Sequence, residues 1–125
     1  MHIKSILLFV ALAVMLVCGV TVSTTYADEF SDMQQRANQG DTDAQVSLGE
    51  MYDEGKGVEQ DHAKAAYWYE KAADQGNMHA QLYLAMAYYH GTGVPQDKQK
   101  GCTLFKAAAE QGHRAAHEGY YQLCE

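Results

Sequence analysis

Leu48-Gly49-Glu50-Met51-Tyr52-Asp53-Glu54-Gly55-Lys56-Gly57-Val58-Glu59-Gln60-Asp61 decides the fold, because it returns 36 residues later as Leu84-Ala85-Met86-Ala87-Tyr88-Tyr89-His90-Gly91-Thr92-Gly93-Val94-Pro95-Gln96-Asp97. Aligning 41–76 with 77–112 leaves fourteen identical positions and no gap. Self-similarity at a fixed period of roughly 20–50 residues marks a repeat architecture. The register continues outward: Ala37, Gln39 and Gly40 precede Ala73, Gln75 and Gly76 by one period, and Ala116, Tyr120 and Leu123 follow the second unit.

Each unit reads as two helices. The first carries Ala44, Leu48, Met51 and Tyr52, and its copy carries Ala80, Tyr83, Leu84, Ala87 and Tyr88. The second carries Ala65, Trp68, Tyr69, Ala72 and Ala73, copied as Gly101, Leu104, Phe105, Ala108 and Ala109. Spacing of i, i+3, i+4, i+7 puts such residues on one stripe of a helix. Gly55 and Gly91 fall where a helix end takes a left-handed residue. Asp61 and Asp97 read as N-caps of the second helices, and Asp41, Asn77 and His113 stand at the cap position of the first. The order is therefore a half-unit at 28–40, full units at 41–76 and 77–112, and a closing helix within 113–125. The first helix has an apolar line of Phe30, Met33 and Ala37 among polar residues, as the terminal cap of a solenoid requires.

Over Leu48-Gly49-x-x-Tyr52, Gly55-x-Gly57-Val58-x-Gln60-Asp61 and Lys64-Ala65-x-x-Trp68-Tyr69-x-Lys71-Ala72-Ala73-x-Gln75-Gly76, the chain resembles the Sel-one-like repeat (SLR), a relative of the tetratricopeptide repeat. The second unit departs at Ala85, Gly101 and Leu104-Phe105, which keep size and polarity roughly in kind. The resemblance implies an all-α fold, a short α-solenoid of antiparallel helix pairs wound as a right-handed superhelix. It also implies use as a scaffold or adaptor for proteins and peptides, but it does not imply a shared catalytic site, since fold alone never fixes function.

The N-terminus has its own signature. Lys4 precedes an apolar stretch from Ile6 to Val22, and small and hydroxyl residues lead to Thr25-Tyr26-Ala27. This predicts a secretory signal peptide over 1–27, cleaved after Ala27, and hence a periplasmic or secreted protein. The alternatives are a retained membrane anchor, for which the run is short, and a lipoprotein modified at Cys18, where Val17 is unsuitable. All sixteen acidic residues and eight of the nine basic ones lie beyond Ala27, leaving a formal charge of −8. That balance argues against nucleic acid or an anionic membrane surface as partner.

Cys102 and Cys124 remain after processing, and an even pair in an exported chain predicts one disulfide; two buried free thiols are the competing reading. The two cysteines lie about equally far from the Gly112-His113 turn, so in an antiparallel hairpin they sit level. Cys124 also falls at the position of Tyr52 and Tyr88, expected to be buried.

Little else suggests chemistry. His113 and His117 stand four apart without an obvious third ligand, so no metal is expected. The Gly55 and Gly91 loops follow helices, which is wrong for a phosphate cradle. Ser31 and Ser47 are the only serines beyond Ala27, and neither begins a Ser-x-x-Lys motif. No cofactor or catalytic residue is expected.

By analogy with tetratricopeptide scaffolds, the first helices line a concave face. Off the buried stripe that face carries Asp43, Val46, Glu50, Asp53 and Glu54, then His79, Leu82, Met86, Tyr89 and His90, then Glu118 and Gln122. The expected function is an exported protein–protein interaction module binding a peptide or protein with an apolar anchor and basic flanks. Competing readings are a cell-wall or β-lactam-related binder or enzyme of the envelope, and an inhibitory, immunity-type protein with a single target. Leu82, Met86 and Tyr89 would alternatively pack internally or against a second copy.

A bridge between Cys102 and Cys124 would close a loop of about 22 residues and stabilise the fold by about 3 kcal/mol. Thiol titration of the denatured, unreduced mature protein is expected to find no free thiol. Two free thiols would remove the bridge.

Overall fold

Each glycine-bearing loop of the repeat separates two thirteen-residue helices. The computed structural model describes residues 26–125, and the expected signal segment lies outside the described residues except for Tyr26 and Ala27. The helices are α1 over 26–38, α2 over Thr42–Glu54, α3 over His62–Asp74, α4 over Met78–His90, α5 over Lys98–Glu110 and α6 over Arg114–Leu123. No strand occurs among the described residues. None of the described helices is long and apolar enough to cross a membrane. Residues 33–125 form one compact unit, and the packing below concerns that unit.

The caps are those that the sequence proposes. Asp41, Asp61 and Asp97 accept hydrogen bonds from Ala44, Lys64 and Lys100 N–H, and Asn77 accepts from His79 and Ala80. Such caps satisfy donors that a helix start leaves unpaired. The His113 ring also serves as a cap, its Nδ1 accepting from Ala116 N–H. Gly55 and Gly91 close α2 and α4 in the left-handed region, with φ of 69° and 74°.

Consecutive helices pack in order: α2 on α3, α3 on α4, α4 on α5 and α5 on α6. One core cluster joins Ala65, Ala66, Tyr69, Ala72, Ala73, Ala80 and Leu84. A second joins Ala85, Phe105, Ala108 and Ala116. The array is an all-α solenoid of helix pairs.

The buried stripe of the first helices differs from the expected one. Ala44, Gln45, Leu48 and Gly49 are buried in α2, and Ala80, Gln81, Leu84 and Ala85 in α4. Met51, Tyr52, Tyr83, Ala87 and Tyr88 are only half-buried, and Cys124, at the position of Tyr52 and Tyr88, is half-buried too. Tyr52 and Tyr88 stay at the edge because Lys64 and Lys100 sit over their rings, 5.4 and 4.1 Å from the centroids. Glutamine enters the core because its amide is satisfied there. Gln45 Nε2 donates to Ala37 O at 3.1 Å, and Gln75 Nε2 donates to Gln45 Oε1 at 2.8 Å. Gln111 donates to Gln81 in the same way at 2.7 Å.

Cys102 and Cys124 are joined by a disulfide, with Cα atoms 5.7 Å apart. It ties α6 to α5, and the Tyr89 hydroxyl adds a hydrogen bond to Leu123 O at 3.2 Å.

Two glycines set the helix spacing. A Cβ at Gly49 would lie 2.5 Å from the Tyr69 ring, and one at Gly101 would lie 2.9 Å from Ala85 O. The repeat trades these residues across the pair: Gly49 faces the helix bearing Ala65, and Ala85 faces the helix bearing Gly101. At Gly101 the obstacle is backbone, which cannot swing aside. Gly101→Ala is therefore expected to cost about 1–3 kcal/mol by urea denaturation, as overpacking does. Thr103→Ala, exposed on the same helix, should stay within about 0.5 kcal/mol of wild type.

Candidate functional site

The site begins at the meeting of α2, α3 and α4. A cleft of about 190 Å³ is lined by Asp53, His62, Ala65, Ala66, Tyr69, Tyr83, Met86, Ala87, His90 and Thr92. Its base is a stacked pair, Tyr69 and Tyr83, with centroids 4.9 Å apart and planes at 28°. Ala65, Ala66 and Ala87 leave room beside the rings because they carry only a methyl group. Met86, 47% exposed, forms an apolar wall whose unbranched side chain adapts readily to a neighbour.

The other wall is acidic. Asp53 Oδ1 meets His62 Nδ1 at 2.6 Å, a charged pair when the imidazole is protonated. The Glu50 carboxylate lies near enough to the Tyr83 phenol to disfavour its ionisation. Burial pushes the Tyr69 phenol far above its ordinary value, and the nearby charges of Asp53, Glu50 and Glu54 push it further. Tyr83 is raised by burial first, then by the neighbouring Glu50 carboxylate and by the charges of Glu54 and Asp53. The tyrosine pair thus stands in a negative field.

Of the residues expected on the concave face, Asp53, Met86 and His90 line this cleft, and Glu50 lies outside the lining, near the Tyr83 phenol. Val46 instead packs against the first core cluster, and Leu82 and Tyr89 pack against the second. Tyr89 turns toward α5, lies over Phe105 with centroids 6.5 Å apart, and carries Lys98 above its ring at 5.2 Å. Leu82 and Tyr89 read as surface because α4 is covered from two sides, by α3 and by α5. Asp43, Glu54 and Gln122 are exposed, away from the cleft lining.

His79 and Glu118 border a different, shallower hollow with Met78, His113 and Arg114. There His113 Nε2 and His79 Nδ1 are 3.1 Å apart. His113 Nδ1 accepts from Ala116 N–H, so Nε2 carries the proton and donates to His79. His117 packs on Tyr121 instead, with centroids 4.6 Å apart. Among the described residues, no group of three or more His, Cys, Asp or Glu could hold a metal ion.

Sequence reading missed His62, Tyr69 and Tyr83 as cleft residues. Tyr69 and Tyr83 were absorbed into the core stripe, where they do belong by one face. The signal for His62 was its place nine residues after Asp53, across the Gly55 loop. In the second unit those positions hold Tyr89 and Lys98, which form a cation–π contact instead.

Helix pairs of this form, repeated at this period, define an SLR solenoid. The chain belongs to the Sel1 repeat family, whose model matches residues 42–77 and 79–113. Proteins built on this repeat are generally protein–protein interaction modules, typically without enzymatic activity. Three solved structures are similar. A Sel1 repeat protein from Oxalobacter formigenes is 34% identical, with a TM-score of 0.71, over 72% of this chain and 68% of that one. Helicobacter pylori cysteine rich protein B is 27% identical, with a TM-score of 0.68, over 71% of this chain and 67% of that one. A protective antigen of uropathogenic Escherichia coli strains, displaying an SLR fold, is 39% identical with a TM-score of 0.68. That match covers 72% of this chain but only 20% of the antigen. No curated protein matches the chain.

Tyr69 titration offers a check on this site. A phenol held above its unfolded value keeps its proton in the folded state, so unfolding releases protons once pH exceeds about 10. Stability is then unaffected below pH of about 10 and declines above it. Tyr69→Phe is expected to reduce that alkaline loss, seen as a smaller drop in Tm between pH 8 and pH 11.

Proposed function

We propose that this chain is an exported protein–protein interaction module that binds a polypeptide segment at the α2–α4 face. The observation that carries this reading is the Tyr69–Tyr83 cleft, walled by exposed Met86 and bordered by Glu50 and Asp53. Aromatic and methionine side chains anchor interfaces, because they bury much apolar area at small entropic cost. Carboxylates at the rim select basic flanking residues and steer their approach.

Export is supported by the apolar run from Ile6 to Val22 and by the Cys102–Cys124 disulfide, which suits an oxidising compartment. A periplasmic or secreted location follows. The working division is the signal segment 1–27, a half-unit at 28–40, units at 41–76 and 77–112, and a terminal helix within 113–125. Of the concave-face residues, Glu50, Asp53, Met86 and His90 carry the binding role in this reading, joined by Tyr69, Tyr83 and His62.

The test is selection of binders from a displayed random-peptide library on the purified protein. Selected peptides are expected to combine an apolar residue with Lys or Arg. They should lose about tenfold or more in affinity for a Glu50→Lys/Met86→Arg variant whose circular dichroism matches wild type. Peptides that bind the variant equally well would place recognition elsewhere and sink the reading.

A further inference from the structure

The size and wall chemistry of the cleft narrow what enters it. Its volume, about 190 Å³, is below the range of roughly 300 Å³ and upward typical of small-molecule pockets. It suits a single long side chain. The walls are of two kinds: Ala65, Ala66, Ala87 and Met86 are apolar, while Asp53, His62, Tyr83 and His90 are polar, with Glu50 beyond the lining near the Tyr83 phenol. No Lys or Arg lines it. Asp53 commits Oδ1 to His62, which leaves Oδ2 to accept from another donor.

We propose that the cleft is a receptacle for one arginine side chain of the partner polypeptide. An arginine has an apolar stem and a charged planar end, which matches walls of two kinds. Its stem would lie along Ala65, Ala66 and Met86. Its guanidinium presents five donors in a fixed fork, enough to meet the Asp53 and Glu50 carboxylates together. A lysine ammonium is a compact point charge that holds its water more tightly, so it gains less from a spread of acceptors. An aliphatic side chain would fill the same volume but would dehydrate the neighbouring carboxylates without replacing their hydrogen bonds. The corresponding place in the second unit cannot do this. There Tyr89 and Lys98 stand where Asp53 and His62 stand in the first, and Gly119 faces Phe105 where Tyr83 faces Tyr69. Of the two units, the first alone offers such a receptacle. The proposal rests on the reading of this face as a polypeptide-binding surface and adds the identity of the anchor.

The experiment is an amide NMR titration of the purified protein with the capped pentapeptide Gly-Ser-Arg-Ser-Gly. Matched peptides carry citrulline, lysine or leucine at the centre. The arginine peptide is expected to shift the amides of 65–69 and 83–90 saturably at about 150 mM salt, where long-range attraction between exposed charges is largely screened. Citrulline, which keeps the shape and removes the charge, should bind at least about tenfold more weakly, with lysine in between. Asp53→Asn and Glu50→Gln should each weaken the arginine peptide and leave leucine-peptide shifts unchanged. Equal affinity for citrulline, or a leucine peptide that outcompetes arginine in the cleft, overturns the arginine assignment. Shifts that spread to Asp43 and Asp74 and vanish with salt also overturn it, as diffuse acidic attraction. A leucine preference in this cleft would leave the peptide-binding reading standing, whereas library peptides that ignore the face remove that reading, so the two failures are distinguishable.

Discussion

The distance between paired helices governs the rest of the molecule. In one pair Gly49 yields to the Tyr69 ring, and in the next Gly101 yields to the backbone of Ala85. Each pair has one glycine and one alanine at this level, on opposite helices. The spacing can be met from either side, so the two units keep one geometry with different residues. Close approach is what allows alanine to be the commonest core residue. At larger separation the same methyl groups would leave voids, which interiors packed at crystal-like density do not tolerate.

The same spacing gives the cleft its shape. Alanines on α3 and α4 bring the helices together, and the tyrosines, too large for that gap, stack on each other in the field of the nearby carboxylates. In the second unit phenylalanine replaces Tyr69 and the aromatic partner is replaced by Gly119. Two units with one backbone plan therefore differ in chemistry. In a repeat protein the shared positions hold the shape and the unshared ones are available for recognition.

The sequence exposed the fold because the fold is a matter of period and punctuation. Asp61, Asp97, Gly55 and Gly91 act within a few residues of themselves, and local rules describe them fully. The stripe was less legible. Gln45 and Gln81 are polar by type yet buried, since their amide partners lie on other helices and leave no mark beside them in the chain. Tyr89 and Leu82 looked outward because a helical wheel assumes one buried side, whereas α4 is flanked on two. His62 was hidden for a related reason: its partner is fixed by a loop, not by helix spacing.

The glutamine clasp has a consequence for how such a chain can change length. Gln45 reaches back to Ala37 O of the preceding helix and is held by Gln75 at the end of its own unit. Gln81 and Gln111 form the same latch one period later. A duplicated stretch of one full period would bring both halves of its own latch and present a fresh catch to the next. An insertion inside α2 or α3 that shifts the register between Gln45 and Gln75 would part the halves and strand a buried amide, whereas the loop between the helices can lengthen without parting them. The clasp works as a ratchet on helix register: whole units are added or lost cleanly, loops are free to vary, and slips inside a helix are rejected by the core.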